Sequence, residues 1–208
     1  MMTDPRRRVT EFVAERLEVG ATLLRNYGRR ARGGQRTLVL GGVRSGKSRH
    51  AEQLMAPYRY VVYVAGSAPP GDDDAEWAAR VAAHRDRRPA HWRTVETMDI
   101  PGVLRTTTAP LLVDCLGTWL TRVLDEAGAW EQRPGWQHTV DERLQDFVDA
   151  WHGLTVPAVA VSNEVGSGVV PGTHAGRVFR DVLGAFNTAV AAGSHSVRLV
   201  VAGRVMHL

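Results

Sequence analysis

With 208 residues, 44% of them hydrophobic, the chain is long enough to bury one good core and short enough for a single domain. One cysteine, Cys115, excludes an intrachain disulfide framework and a cysteine-built zinc site. No apolar run approaches the roughly 20 residues of a membrane span and no signal-peptide pattern opens the chain, so the expectation is a soluble cytoplasmic protein. The net charge of +4 arises mainly in residues 1–36, where Arg6, Arg7, Arg8, Arg16, Arg25, Arg29, Arg30, Arg32 and Arg36 outnumber Asp4, Glu11, Glu15 and Glu18.

That first segment, 1–36, reads as a basic extension. Val9, Phe12, Val13, Leu17 and Leu24 lie roughly at helical spacing, which predicts a short helix within 9–27. A basic arm can bind phosphate backbones, but a solvated extension explains the same residues; no nucleic-acid partner is expected and no function is assigned.

From Thr37 onward the chain alternates apolar runs with helical stripes. Strands are predicted at 37–40, 60–64, 111–113, 158–161 and 197–201, each nearly all apolar and therefore buried on both faces of a sheet. A helix is expected from Asp72, Asp73 and Asp74 to Pro89, and a surface loop over 125–137. Thr139 and Glu142 read as a capping box ahead of the stripe Val140, Leu144, Phe147, Val148 and Trp151. A further stripe runs through Ala175, Val178, Phe179, Val182, Leu183, Phe186 and Val190. Strand, crossover helix and strand in repetition predict a three-layer α/β fold with a mostly parallel central sheet over 37–208.

The chain has 25 arginines and one lysine, Lys47. That lysine stands in Gly41, four residues, Gly46-Lys47-Ser48, the full phosphate-loop pattern, between an apolar strand and a helix. Gly41, Gly42, Val43, Arg44, Ser45 and Gly46 would turn backbone amides onto a phosphate. The compact ammonium of Lys47 would reach the β and γ phosphates where a planar guanidinium needs more room. The Ser48 hydroxyl is the expected Mg2+ ligand, and Asp114, ending a buried strand, the expected metal-side carboxylate; its plainer reading is an ordinary acid at a strand end. Set on the layered α/β order, this loop predicts the P-loop NTPase (RecA-like) class, and nucleoside triphosphate binding and cleavage follow, though not which reaction.

On the predicted helix after Asp72, Arg80, His84 and Arg87 or Arg88 share one face. His84 reads either as an imidazole aimed at a phosphate among guanidiniums or as a half-buried helix histidine among solvated arginines. His50 reads as a helix-surface residue beside the loop, and His91 as a strand or turn residue. Asn163 and Glu164 lie at the carboxyl end of a buried strand, where parallel sheets bind ligands. Arg177 and Arg180 with Asp181 would hold a second phosphate, a subunit contact, or only each other.

Taken in order, "GGVRSGKSRHAEQL", "VVYVAGS", "ARVAAHRDRRPAHWRTVE", "LLVDCLGTWLT", "VSNEVGSGVVP" and "GRVFRDVLGAFN" resemble the bifunctional adenosylcobinamide kinase / adenosylcobinamide-phosphate guanylyltransferase family of cobalamin biosynthesis, from about Thr37 to the C-terminus. The resemblance implies two reactions at one nucleotide site. ATP or GTP phosphorylates adenosylcobinamide, and GMP from GTP is then joined to adenosylcobinamide phosphate through a guanylylated histidine, which His84 matches. It also implies nucleotide contacts at residues 41–48, at Ala65, Gly66 and Ser67, at Arg85, Asp86, Arg87 and Arg88, and at Glu96 and Asp114, and it implies a homotrimer. Glu96 is suited to accept from guanine N1 and N2. Arg122 and Thr188 depart from the Asn and Gln usual in the family, and the C-terminus lacks its usual lysine. These departures leave standing the alternative that only one activity is retained, and the arginine arm leaves a second, a nucleotide-dependent binding module that uses it.

Overall fold

The computed structural model describes residues 34–66 and 88–208. The helix expected within 9–27 lies outside the described residues. So do the predicted helix bearing His84 and the site candidates Ser67, Arg85, Asp86 and Arg87. In chain order the elements are β1 (Arg36–Gly41), α1 (Lys47–Met55), β2 (Val62–Ala65), β3 (Arg93–Glu96), α2 (Ile100–Thr106), β4 (Leu111–Asp114), α3 (Leu116–Ala127), α4 (Trp136–Gly153), β5 (Ala158–Asn163), α5 (His174–Ala192), β6 (Ser196–Val201) and β7 (Arg204–His207).

The strands form one seven-stranded sheet in the order β3-β2-β4-β5-β1-β6-β7. Every neighbouring pair is parallel except β6 with β7. The apolar runs of β1, β2, β4 and β5 are unbroken because both faces are covered: in β4, Leu111 and Val113 join one core and Leu112 the other. The run 197–201, expected to be buried on both faces, is not: β6 lies beside the edge strand β7, with Val200 buried, Val201 exposed and the rest half-buried. One core lies under α1 and contains Val39, Ala51, Met55, Tyr63, Leu112 and Val161. The larger core, built with α2 to α5, centres on Trp119, Phe147, Trp151 and Phe186. The chain is a three-layer α/β protein, as the alternation predicts.

Where the structure extends or corrects the sequence reading, the reasons are local. β3 is a polar edge strand, RTVE, with no apolar run to betray it. β7 is made by a two-residue hairpin turn in which Ala202 and Gly203 both have positive φ, 49° and 76°, the geometry that matches strand twist. The loop expected over 125–137 is shorter, since α3 continues to Ala127 and ends at the left-handed Gly128. The predicted capping box does not form: α4 begins one turn earlier, capped by Gly135, because buried Trp136 extends the apolar stripe by four residues. Thr139 therefore lies inside the helix, its hydroxyl toward the Gly135 carbonyl at 3.5 Å, and Glu142 pairs with His138 at 3.2 Å.

Candidate active site

In parallel sheets the carboxyl strand ends face a common crevice. Here β1, β2, β3, β4 and β5 bring Gly41, Ala65, Glu96, Asp114 and Asn163 to that edge. Gly41 is in register with Asn163, Ala65 with Glu96 and Asp114 with Val161. Among the described residues, the candidates that end strands, Gly41, Ala65, Glu96 and Asp114, are thus brought to one edge by the sheet.

The loop after β1 follows from its glycines. A Cβ on Gly41 would lie 2.4 Å from Ser45 Oγ and 2.7 Å from the Val200 carbonyl, so a side chain there would push the loop off the sheet. Gly46 turns at φ 95° and opens α1. Ser45 N–H donates to the Gly42 carbonyl at 3.3 Å and Lys47 N–H to Ser45 Oγ at 3.3 Å. The Lys47 ammonium folds along the same loop, 3.2 Å from the Gly42 carbonyl. From the other side, the tip of the β6–β7 hairpin braces it: Gly203 N–H donates to the Ser45 carbonyl at 2.8 Å.

Ser48, in the first turn of α1, donates to Asp114 Oδ1 at 3.3 Å. Alternation places Asp114 on the α1 face of the sheet, the face of Leu112. A hydroxyl and a carboxylate side by side next to a phosphate loop form a hard-oxygen pair. Mg2+ takes such a pair together with nucleotide phosphates and water, so these residues fit the ion. Behind them Tyr63 donates from its phenol to Asp114 Oδ2 at 2.9 Å. Burial and the neighbouring carboxylate push the Tyr63 hydroxyl far above its ordinary range, so it stays protonated as a donor. Cys115 caps α3 through Thr118 N–H, and burial with the Asp114 charge beside it pushes its thiol up.

Of the remaining candidates, Gly66 is buried against Trp119 and Ile100, and Glu96 is exposed at the end of β3. Arg88, the first described residue after position 87, lies flat on Tyr63 with its guanidinium carbon 3.4 Å from the ring centroid. His50 faces Arg198, with Nε2 3.2 Å from Nη1, and His91 lies in a turn. Glu164 turns its carboxylate onto Gly166 and Ser167 of its own loop. Arg177 donates to the Pro171 and Gly172 carbonyls, and Arg180 pairs with Asp181 at 3.2 Å. Of the departures, half-buried Arg122 pairs with Glu126 one turn on in α3, and exposed Thr188 donates to the Gly184 carbonyl of α5. Sequence reasoning missed Tyr63, whose signal was a lone phenol in the aliphatic run "VVYVA". It also missed the bracing hairpin, because Ala-Gly is a weaker turn signal than Asn-Gly.

A family model described as cobinamide kinase / cobinamide phosphate guanyltransferase matches residues 37–208. The chain is 38% identical over 175 residues to the bifunctional adenosylcobalamin biosynthesis protein CobU of Salmonella typhimurium, covering 80% of this chain and 95% of that one. It is 37% identical over 175 residues to the CobU protein of Escherichia coli, with the same coverage, and 39% identical over 179 residues to the CobP protein of Pseudomonas aeruginosa, covering 83% and 96%. A match of this extent, on a sheet that gathers the phosphate loop, Ser48 and Asp114 at one edge, places the chain in the cobinamide kinase / cobinamide phosphate guanyltransferase family.

Proposed function

We propose that the protein phosphorylates adenosylcobinamide with ATP or GTP and then guanylylates the product with GTP, giving adenosylcobinamide-GDP. The family match over residues 37–208 carries this reading. The loop Gly41 to Ser48 with Asp114 supplies the phosphate end of the site.

In the kinase step the amides of residues 42–48 and the Lys47 ammonium hold the β and γ phosphates in line with the substrate hydroxyl. The hydroxyl oxygen bonds to the γ-phosphorus, the bond to the β–γ bridging oxygen breaks, and the hydroxyl proton leaves to solvent. Mg2+, when bound at Ser48 and Asp114, neutralises charge that develops on the phosphates. In the transfer step the neutral imidazole of His84 attacks the α-phosphorus and pyrophosphate departs, leaving a phosphoramidate. An oxygen of the corrinoid phosphate then displaces the histidine and forms the new pyrophosphate bond. Arg85, Asp86, Arg87 and Arg88 follow the carrier and line the nucleotide, Ala65, Gly66 and Ser67 contact it from the end of β2, and Glu96 accepts from guanine N1 and N2. Catalysis belongs to 37–208, with 1–36 an extension that turnover does not need. The enzyme is expected in the cytoplasm as a homotrimer, an assembly supported by resemblance to the family and checked by light scattering.

The deciding experiment incubates the protein with GTP labelled at the α-phosphate and then denatures it. The expected result is acid-labile, alkali-stable label on the wild type and none on His84→Ala, which keeps its kinase activity. Label persisting on His84→Ala moves the carrier to another residue.

A further inference from the structure

Tyr63 reacts with nothing in the scheme above, yet it touches two parts of it. Its side chain is 1% exposed on β2, and a phenol buried so deeply needs a hydrogen-bond partner. That partner is the metal-side carboxylate, Asp114 Oδ2 at 2.9 Å, while Oδ1 of the same group receives the Ser48 hydroxyl at 3.3 Å. A carboxylate otherwise turns about its Cβ–Cγ bond. With Oδ2 held from behind, the lone pairs of Oδ1 stay directed at Ser48 and the space beside it.

The ring is itself held. The Arg88 guanidinium packs on its face at 3.4 Å, and Arg88 Nη1 donates to Thr94 Oγ1 at 3.2 Å. Thr94 is the β3 residue in register with Tyr63 across β2 and β3. Strand pairing, the stack and the hydrogen bond together fix the plane in which the hydroxyl points. One aromatic ring thus joins Arg88 to the Asp114 carboxylate.

We propose that Tyr63 is a positioning residue whose hydroxyl orients Asp114 for Mg2+-dependent nucleotide binding. The inference rests on the function proposed above, and its test needs neither corrinoid nor turnover. Tyr63→Phe keeps the ring, its packing and the Arg88 stack and removes only the hydroxyl. The readout is the Mg2+ concentration giving half-maximal enhancement of binding of a fluorescent GTP analogue, with affinity in EDTA measured alongside. Losing an outer hydrogen bond to a metal ligand lowers metal affinity by about tenfold or more, so the Mg2+ midpoint for Tyr63→Phe should rise by about tenfold, with EDTA affinity and circular dichroism unchanged. Asp114→Asn serves as reference and should move the midpoint in the same direction and further. If Asp114→Asn shifts the midpoint and Tyr63→Phe does not, the Tyr63 assignment fails while the metal site stands. If neither shifts it, the metal-side reading of Asp114 fails and the Tyr63 assignment with it.

Discussion

On one face of the sheet α1 covers a small core of Val39, Met55, Tyr63 and Leu112, edged by the glycine loop, Ser48 and Asp114. On the other, α3, α4 and α5 bury Trp119, Phe147, Trp151 and Phe186, with Phe147 ring centroids 5.3 Å from Trp119, 5.2 Å from Phe186 and 6.4 Å from Trp151. In the proposed function the first face has to leave backbone amides and charged side chains accessible to a phosphate, which limits the apolar surface it can bury. The second is given over to large rings, with Trp119, Phe147, Trp151 and Phe186 fully buried against one another. Function and stability are therefore expected to separate by face, and substitutions can break that separation or sharpen it.

The largest effect is expected at the loop. Lys47→Ala should lower both activities by about 10³-fold, because transition-state charge on the phosphates loses a positioned cation, with little change in thermal midpoint. Unfolding of this variant at ordinary temperature would show that the loop face also carries stability. The converse substitution, Phe147→Ala, empties the centre of the aromatic cluster and should cost about 3 kcal/mol or more in denaturant unfolding, while the folded fraction keeps its nucleotide affinity. A smaller effect is expected at Thr173, whose hydroxyl accepts from Gly176 N–H at 3.1 Å at the start of α5. Thr173→Ala should remove about 1 kcal/mol of stability, the usual worth of an N-cap.

The smallest effect is a pH dependence. His152, at the end of α4, has both ring nitrogens buried without a hydrogen-bond partner among the described residues. Burial lowers its pKa, the Arg36 charge lowers it further, and Asp149 opposes. His50 on the opposite face is lowered by burial, Arg198 and His207. A lowered pKa means that the unfolded chain takes up protons first as pH falls. The stabilisation is therefore complete above the ordinary histidine value and is lost as pH drops below 6.5 toward the lowered values. Thermal midpoints should fall between neutral and mildly acidic pH, and His152→Gln should flatten part of that slope. A slope unchanged by His152→Gln would place the acid sensitivity elsewhere, with His50 the next residue to replace.

Legibility followed the range of the interactions involved. The glycine loop, the buried strands β1, β2, β4 and β5 and the stripe of α5 could be read because each is specified by neighbours within a few residues: glycines where the chain must curl, unbroken apolar runs, and apolar residues at helical spacing. β3 could not, since its polar edge residues pair only once β2 lies beside them, and neither could the earlier start of α4, which depends on a pocket for Trp136. Asp114 was found as a strand-end acid, but its partners come from positions 48 and 63, on a different helix and a different strand.

By itself, then, the sequence determined the layered α/β class, the phosphate loop with its single lysine, and the candidate acid at the end of β4, because local chain chemistry dictates each. The tertiary structure decided what those groups face. It set a tyrosine ring behind Asp114, an arginine on that ring and a hairpin tip against Ser45. Such contacts join residues far apart in the chain, and only the closing of the sheet brings them within hydrogen-bond reach.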